Sequence, residues 1–383
     1  MSKSYKILTF ITFVAIFLLF TSFLLKLAFN KKNPEKSSFE SNLEKSLELY
    51  AEWFLKNQTE RGDFNYEMDV QTGEIYDSYN IVRQAGSLYS LAHAYKYFGG
   101  EKCKNGLEKG ISFFNKYLEN VENDTETKRV NYDNSIKSNT TALYLLALIE
   151  YMETDDSVKS KYIDVSKNLA DYILLTQNDK GGFYIHLGRP EESDYNNGES
   201  LYALIRMYKI SGDEKYLEGA KKAADYIIAE YSNREFNYSL YSWAMQGLSH
   251  LYRVEPDEKY WDFIKSYSNK FLFNYGANAY KYFSEKNGNP PKSNLGVYLE
   301  GLNHVAWVSK EKDREYYTAL VDFIEMSLKY LMTLQINGPG SDRTSDIELI
   351  SGGVCYDYNC ATQRIDLVHH NLSAIYLYLT LTK

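Results

Sequence analysis

The chain has 383 residues, with 43 Lys and Arg against 51 Asp and Glu, so its formal net charge is −8. This acidic balance argues against nucleic acid as a partner, because binding to phosphates requires a basic surface. Charged residues make up 25% and hydrophobic residues 44% of the chain, which is typical of a folded protein and not of a disordered one.

Residues 7–25 form a run without charge or proline. As a helix that rises about 1.5 Å per residue, this run matches roughly the thickness of the hydrocarbon core of a membrane. No small-residue cleavage site follows it, so we expect an uncleaved single-pass anchor within residues 1–32, followed by a polar linker at 33–40. Lysines on both sides of the run mark the orientation only weakly; we expect the rest of the chain outside the cytoplasm.

From residue 41 onward one pattern repeats: a helix of period 3.6, a long loop, a second helix and a very short turn. Short turns such as Gly99-Gly100 and Ser211-Gly212 follow the even-numbered helices, and long loops follow the odd-numbered ones. The predicted helices are 41–57, 81–98, 101–120, 139–152, 155–177, 197–210, 213–232, 240–254, 256–274, 294–309, 312–336 and 362–382. Six helical pairs favour a closed ring, in which the last pair packs on the first and no capping repeat is needed.

The two sets of helices differ in composition. The even-numbered helices contain more Ala, Ser, Gly and Leu, as in residues 141–152, and are predicted to form the inner wall. The odd-numbered helices alternate charged and apolar residues, which is typical of an outer ring with one buried stripe. The sequence therefore predicts an all-α domain at 41–383, preceded by one transmembrane helix.

The repeated units at 81–114, 197–228 and 237–272 carry this pattern, which resembles the six-hairpin (α/α)6 toroid of sugar-active enzymes. That group includes several glycoside hydrolase families, unsaturated uronyl hydrolases, N-acylglucosamine 2-epimerase-like enzymes and the helical domain of D-glucuronyl C5-epimerase. The resemblance covers residues 41–383 and implies a carbohydrate-active enzyme. It matches the architecture and not the catalytic signature of one family.

In such a ring the six long loops share one face and form a funnel, where the inner helices begin. Their unpaired N–H groups favour an anionic ligand. Arg83 and Arg364, placed in the first turns of inner helices two and twelve, are predicted to hold an acidic sugar; alternatively, each pairs with a neighbouring loop carboxylate. Five loop tyrosines are predicted to stack on sugar rings: Tyr66, Tyr79, Tyr184, Tyr238 and Tyr356.

Glycoside hydrolysis needs two carboxylates, whereas epimerisation needs a base near an acidified C–H. Asp77 and Glu199, near the starts of helices two and six, are candidate catalytic carboxylates, with helix capping as the alternative role. Asp366 and His370 are four residues apart and share a helix face, so we expect Asp366 to orient His370 as a base. The alternative is a structural pair. Adjacent His369 and His370 are not both expected to face the funnel.

The sequence offers no H-x-x-x-H and no C-x-x-C pair, so we expect neither a metal nor a cofactor. Cys355 and Cys360 lie in one loop and form either a small disulfide or two thiols. Residues 63–66 and 182–185 are predicted to form short hairpin strands.

These features predict a membrane-anchored carbohydrate-active enzyme that acts on an acidic glycan or sugar, by glycoside hydrolysis or by epimerase-like proton transfer. The alternative is a non-catalytic glycan-binding or polysaccharide-assembly protein built on the same toroid.

Overall fold

The computed structural model describes residues 38–273 and 292–381. The helices of this part are α1 (Ser38–Asn57), α2 (Ile81–Phe98), α3 (Glu101–Asn115), α4 (Ser138–Met152), α5 (Asp156–Leu175), α6 (Asp194–Ser211), α7 (Glu214–Tyr231), α8 (Tyr238–Val254), α9 (Glu258–Phe271), α10 (Leu295–Lys312), α11 (Arg314–Met332) and α12 (Ile365–Leu381). The strands are β1 (Glu67–Asp69), β2 (Leu118–Asn120), β3 (Lys128–Val130), β4 (Tyr184–His186), β5 (Arg189–Glu192) and β6 (Thr362–Arg364). Each predicted helix has its counterpart.

The even-numbered helices form a closed inner ring. Each packs against the next, in the order α2, α4, α6, α8, α10 and α12, and α12 packs against α2. The odd-numbered helices from α3 to α11 each pack on the inner helix that precedes them, so they form an outer layer. The predicted (α/α)6 toroid and its closure are confirmed.

Burial follows the predicted division into inner and outer helices. In α4 every residue except Asn139 is buried, as expected for a helix with neighbours on all sides. In α7 the buried residues recur every three or four positions, from Tyr216 through Ala220 and Ala223 to Ile227, so only one stripe faces the inner ring.

Three small antiparallel sheets lie in the long loops. The predicted strand at 182–185 corresponds to β4, which pairs with β5 in a hairpin. The predicted hairpin at 63–66 is wrong: Phe64 forms only an isolated bridge to Gln58, and the strand that follows, β1, pairs with β6 near the end of the chain. This long-range pairing joins the first and last long loops, which a local sequence pattern does not reveal.

The contacts divide the chain after Asn42, and the residues from Leu43 onward form one compact unit. The predicted anchor at 7–25 lies outside the described residues. Of the described helices, none is long and apolar enough to cross a membrane. Helix α1 begins at Ser38, so the last three residues of the predicted linker are helical. Cys355 and Cys360, whose state the sequence left open, form a disulfide.

Close approach of inner helices depends on glycine. A Cβ added to Gly198 of α6 would lie 2.8 Å from the backbone nitrogen of Ala244 and from Cβ of Trp243, both on α8. We expect Gly198→Ala to lower the free energy of unfolding by about 1–3 kcal/mol, measured by urea denaturation, because the two helix backbones must separate.

Gly106→Ala on α3 is the matched control. There the added Cβ mainly meets the flexible end of the Leu55 side chain, and alanine also favours the helix by up to about 1 kcal/mol. Equal losses of stability in the two variants would contradict a special role for the α6–α8 contact.

Candidate functional site

A cavity of about 370 Å³ opens where the inner helices begin, and all six of them contribute to its wall. The lining side chains share a polar and aromatic character: they include Arg83, Lys137, Asn139, Tyr195, Glu199, Trp243, Tyr298, Tyr356, Arg364, Asp366, His369 and His370. We call this cavity the funnel. Its position on the long-loop face agrees with the prediction from the alternating loop lengths.

Equivalent positions of the inner helices form the floor of the funnel. Glu199, Glu300 and His370 each lie five residues after the first residue of their helix, at Asp194, Leu295 and Ile365. The same position holds Leu143 in α4 and Trp243 in α8. Because the helices start at one face, side chains at one position lie at a similar depth, and this layer concentrates the reactive groups.

Glu199 is a buried carboxyl without a nearby cation to offset the cost of burying its charged form. Its side chain lines the funnel although the residue is only 3% exposed, and its Oε2 atom has no hydrogen-bond partner in the described part of the chain. Burial raises the pKa of Glu199 to about 8, with Asn139 opposing the shift. Glu199 therefore holds a proton at neutral pH. Since α6 begins at Asp194, Glu199 lies in the second turn and does not cap the helix.

His370 is paired with a carboxylate that the sequence analysis missed. Its Nδ1 atom lies 2.9 Å from Oε2 of Glu300, which is 1% exposed. A carboxylate accepts the hydrogen bond, so Nδ1 carries the proton and Nε2 of a neutral His370 keeps its lone pair. The expectation that Asp366 orients His370 is corrected: Glu300 on the neighbouring helix α10 does so.

Both histidines of the adjacent pair line the funnel, with ring centroids 4.0 Å apart, so the expectation that only one faces it is wrong. The space for His369 comes from α2, where Gly86 has no side chain: an added Cβ would lie 2.7 Å from the His369 ring. Burial is the main cause that holds the pKa of His369 well below its usual value, and nearby His370, Arg83 and Arg364 lower it further. This ring is therefore neutral.

Asp366 binds both predicted arginines. Arg364 donates two hydrogen bonds to its carboxylate, at 2.6 and 2.9 Å, and Nε of Arg83 lies 3.2 Å from Oδ2. Arg83 also donates to the hydroxyl of Tyr66. The alternative role of these arginines, pairing with a carboxylate, is thus observed. Arg364 lies in β6, one residue before α12, and not in the first turn of the helix as predicted.

The remaining predicted residues divide into two groups. Tyr356 lines the funnel, with Lys292 4.6 Å above its ring. Tyr66, Tyr79, Tyr184, Tyr238 and Asp77 are not among the residues that line the funnel. Tyr79, for example, stacks on Tyr132 and donates to Asp63, which makes it part of a loop contact. Asp77 is exposed in the loop before α2, whose N-cap is Asn80.

Trp243 and Tyr298 line the funnel and were not predicted. Glu300, which does not line the funnel but binds His370, was not predicted either. Glu300 had one signal in the sequence, since it is the only acidic residue in the otherwise apolar or uncharged first half of α10. In the described residues, no group of three His, Cys, Asp or Glu side chains is arranged to hold a metal ion.

Solved structures share this fold. An inactive variant of the alpha-1,6-mannanase GH76A of Salegentibacter sp. HEL1_6, in complex with alpha-1,6-mannotriose, is 14% identical, has a TM-score of 0.63 and covers 90% of this chain and 100% of its own. Cellobiose 2-epimerase from Bacillus thermoamylovorans B4167 gives the same four values. A D-mannose isomerase is 16% identical, with a TM-score of 0.60, over 90% of this chain and 99% of its own.

The chain thus has the six-hairpin (α/α)6 fold of glycoside hydrolases and sugar epimerases, as the sequence resemblance implies. No protein-family model and no curated protein matches the sequence. At these identities the likeness establishes the fold, and the chemistry must be argued from the side chains of the funnel.

The protonated state of Glu199 has a consequence for stability. The pKa is near 4.5 when unshifted and about 8 in the folded protein, so between these values the folded state binds more protons and stability falls as pH rises. We expect Glu199→Gln to become more stable than the wild type between pH 5 and pH 8. The difference should reach several kcal/mol, since one pKa unit corresponds to about 1.4 kcal/mol.

Urea denaturation at a series of pH values measures this difference. Glu191→Gln, which replaces an exposed carboxylate on β5, is the control and should follow the wild type at every pH. A constant offset between Glu199→Gln and the wild type over this range would show that Glu199 is already ionised at pH 5.

Proposed function

We propose that this protein is a sugar-converting enzyme that works by proton transfer, with Glu199 as the acid and His370 as the base. The observation that carries the proposal is the pairing of unlike groups on the funnel floor. Glu199 holds a proton and has an unpartnered oxygen, while His370 is oriented by Glu300 with Nε2 available. A carboxyl that holds its proton and an oriented imidazole are the two kinds of group that acid–base catalysis requires.

The two groups suit removal of a proton from a carbon beside a carbonyl. His370 Nε2 takes the proton from that carbon while Glu199 gives its proton to the carbonyl oxygen, which forms an enediol. Return of a proton to the opposite face of the same carbon gives an epimer, and return to the neighbouring carbon gives an isomer. In either case the Glu199 carboxylate takes up an O–H proton of the enediol as the carbonyl forms.

The charges of the funnel favour a sugar that carries an anionic group. Arg83, Arg364 and Lys137 line it. Of the described lining residues only Glu199 and Asp366 are acidic, and Glu199 is protonated. The amino ends of the inner helices add to this positive field. Trp243 and Tyr298 supply aromatic surface for the apolar face of a sugar ring.

Glycoside hydrolysis is the second candidate, and the raised pKa of Glu199 favours it as well, because a general acid is needed there too. A second, free carboxylate is required. Asp366 is held by two arginines, and Glu300 lies behind His370. The inactive mannanase variant carries substitutions at two adjacent aspartates. Here the one adjacent pair of aspartates, Asp155-Asp156, lies at the start of α5, as its N-cap and first residue, and does not line the funnel.

We also propose that residues 7–25 anchor the protein in a membrane with the toroid outside the cytoplasm. The apolar run supports the anchor. The Cys355–Cys360 disulfide supports an oxidising compartment. Two experiments test this proposal. Deletion of residues 1–32 should abolish membrane association, and thiol reagents added on the cytoplasmic side should not react with the toroid.

Incubation in D2O distinguishes the reactions. The full chain in detergent is given uronic acids, reducing sugars and acidic oligosaccharides, and products are read by mass and by NMR. Proton transfer incorporates deuterium at the carbon beside the carbonyl, whereas hydrolysis adds the mass of water. We expect deuterium incorporation, with kcat lowered about 10²–10⁴-fold by Glu199→Gln.

Glu191→Gln serves again as the control and should retain the wild-type rate. Release of smaller sugars without deuterium on carbon would establish hydrolysis instead. Binding of sugars without either change, in wild type and Glu199→Gln alike, would support the non-catalytic alternative.

Glu300 is a positioning residue in this proposal, because it acts through His370. We expect Glu300→Gln to lower kcat by about 10²-fold or more while KM changes by less than about threefold, since the amide keeps the shape but not the charge that fixes the imidazole. Steady-state kinetics measures both constants.

Glu325→Gln on α11 is the matched control: Glu325 also accepts a hydrogen bond from a neighbouring helix, from the Tyr378 hydroxyl at 2.7 Å, but lies outside the funnel. If Glu300→Gln raises KM as strongly as it lowers kcat, the substitution has disturbed the cavity itself and not only the orientation of His370.

A further inference from the structure

A second cavity, of about 260 Å³, lies at the opposite end of the inner ring, where the inner helices end. We call it the rear cavity. Its wall includes His93, Lys96, Arg206, Asn303, His304 and Trp307, and no residue lines both cavities. An aromatic layer lies between them: Tyr202 lines the rear cavity, Trp243 lines the funnel, and their ring centroids are 6.3 Å apart. The rear cavity is therefore a separate space.

One wall of the rear cavity is a closed network of charges. Glu150 of α4 and Glu153, the residue after its end, are bridged by Arg206 of α6 and by Lys96 of α2. Glu150 lies 2.8 Å from Lys96, and Glu153 lies 2.9 Å from Arg206. Although burial opposes ionisation, Arg206 and Lys96 hold the pKa of Glu150 well below its usual value. The four groups of the network are thus ionised, and their charges nearly cancel. Other groups of the cavity must therefore recognise a ligand.

Two buried polar atoms of the wall have no partner in the described part of the chain. Nε of Arg206 is an unused donor, and Oδ1 of Asn303 is an unused acceptor, on residues that are 4% and 2% exposed. The Asn303 amide nitrogen donates to the carbonyls of Leu299 and Ala374, which fixes the orientation of the side chain. Unpartnered buried groups are costly, so this pair is suited to a ligand that both accepts and donates.

His304 provides a further acceptor. Its Nδ1 atom lies 2.9 Å from the carbonyl of Glu300 and must donate to it, and burial lowers the pKa of His304 to about 4. The neutral ring therefore keeps the lone pair of Nε2. Trp307 lies on the same helix, one turn further on, and adds an aromatic face. Donors, acceptors and an aromatic surface together are suited to a hydroxylated molecule.

Lys209 is the cation outside the charge network. Its Nζ lies 3.1 Å from Nδ1 of the neutral His250 and 5.8 Å from the Trp307 ring, and no described carboxylate forms an ion pair with it. Burial and Arg206 lower the pKa of Lys209 to about 8. With Lys96 and Arg206 it gives three cations against two carboxylates. A ligand carboxylate would relieve this excess positive charge.

We propose that the rear cavity is a binding site for a small hydroxylated carboxylic acid, such as a sugar acid of monosaccharide size. Lys209 pairs with its carboxylate, Arg206 Nε and Asn303 Oδ1 bind its hydroxyl groups, and Trp307 covers its carbon chain. The volume fits a ligand of this size, being below the roughly 300–1,000 Å³ of cavities that hold drug-sized molecules. This site is separate from the proposed catalytic function of the funnel.

A structural role is the competing explanation for Lys209. It lies in the last turn of α6, where the helix dipole favours a cation without any ligand. That effect explains the position of Lys209 but not the two unpartnered atoms of Arg206 and Asn303, which lie deeper in the ring. The test must therefore measure binding in the rear cavity itself.

The four tryptophans provide a readout for each cavity, because Trp243 lines the funnel, Trp307 lines the rear cavity, and Trp53 and Trp261 line neither. The full chain is labelled with 5-fluorotryptophan, its 19F resonances are assigned with single Trp→Phe variants, and D-gluconate is titrated in. We expect a saturable shift of the Trp307 resonance with little change at Trp243. D-glucitol, which lacks the carboxylate, should bind at least about tenfold more weakly.

Lys209→Met should weaken gluconate binding at least about tenfold. Lys161→Met is the matched control, because Lys161 lies 4.8 Å from the Tyr162 ring on α5, outside the rear cavity, and should leave binding unchanged. The proposal is overturned if Trp307 shows no saturable shift, if glucitol binds as tightly as gluconate, or if Lys209→Met binds gluconate like the wild type.

Discussion

The common starting face of the six inner helices is the constraint on which the rest of the structure depends. Alternating long and short connections place every inner amino end on one face, and the pairing of α12 with α2 closes the ring. Once the ring is closed, residues at the same distance from each helix start lie in one layer. Glu199, Glu300, His370 and Trp243, far apart in sequence, therefore meet on a single floor. The fold does not determine which reaction takes place, but it determines where the reactive side chains can lie.

Burial within this ring has opposite consequences for two glutamates. Glu199 and Glu150 are equally inaccessible, at 3% and 2% exposure. Around Glu199 no cation offsets the cost of desolvation, so its pKa rises to about 8 and the group is neutral. Around Glu150, Arg206 and Lys96 more than offset that cost, and the group is ionised. The same type of side chain is thus neutral at one end of the ring and charged at the other.

The helices and the ring were predictable because their signals are local and repeated: a 3.6-residue period, glycine-containing turns and alternating loop lengths. Glu199 and His370 were found because they lie near predicted helix starts. Glu300 was missed since its importance comes from a partner on another helix. For the same reason the i, i+4 spacing of Asp366 and His370 was misleading. Arg364 and Arg83 form ion pairs with Asp366, and Glu300 accepts the hydrogen bond of His370. Tyr79, which was expected to bind sugar, instead stacks on Tyr132 and donates to Asp63 within the loops.

The protonated state of Glu199 has a chemical implication that the fold alone does not have. A site for glycoside cleavage keeps one carboxylate ionised and free beside the acid. On this floor the acid is present, but Asp366 is shared by two arginines and Glu300 is used to hold His370. What remains available to a substrate is a carboxyl proton on Glu199 and the imidazole rings of His369 and His370, all in a buried setting. Buried carboxyl and imidazole groups are the kind that take part in acid–base chemistry, and the two arginines lie beside them in the same funnel.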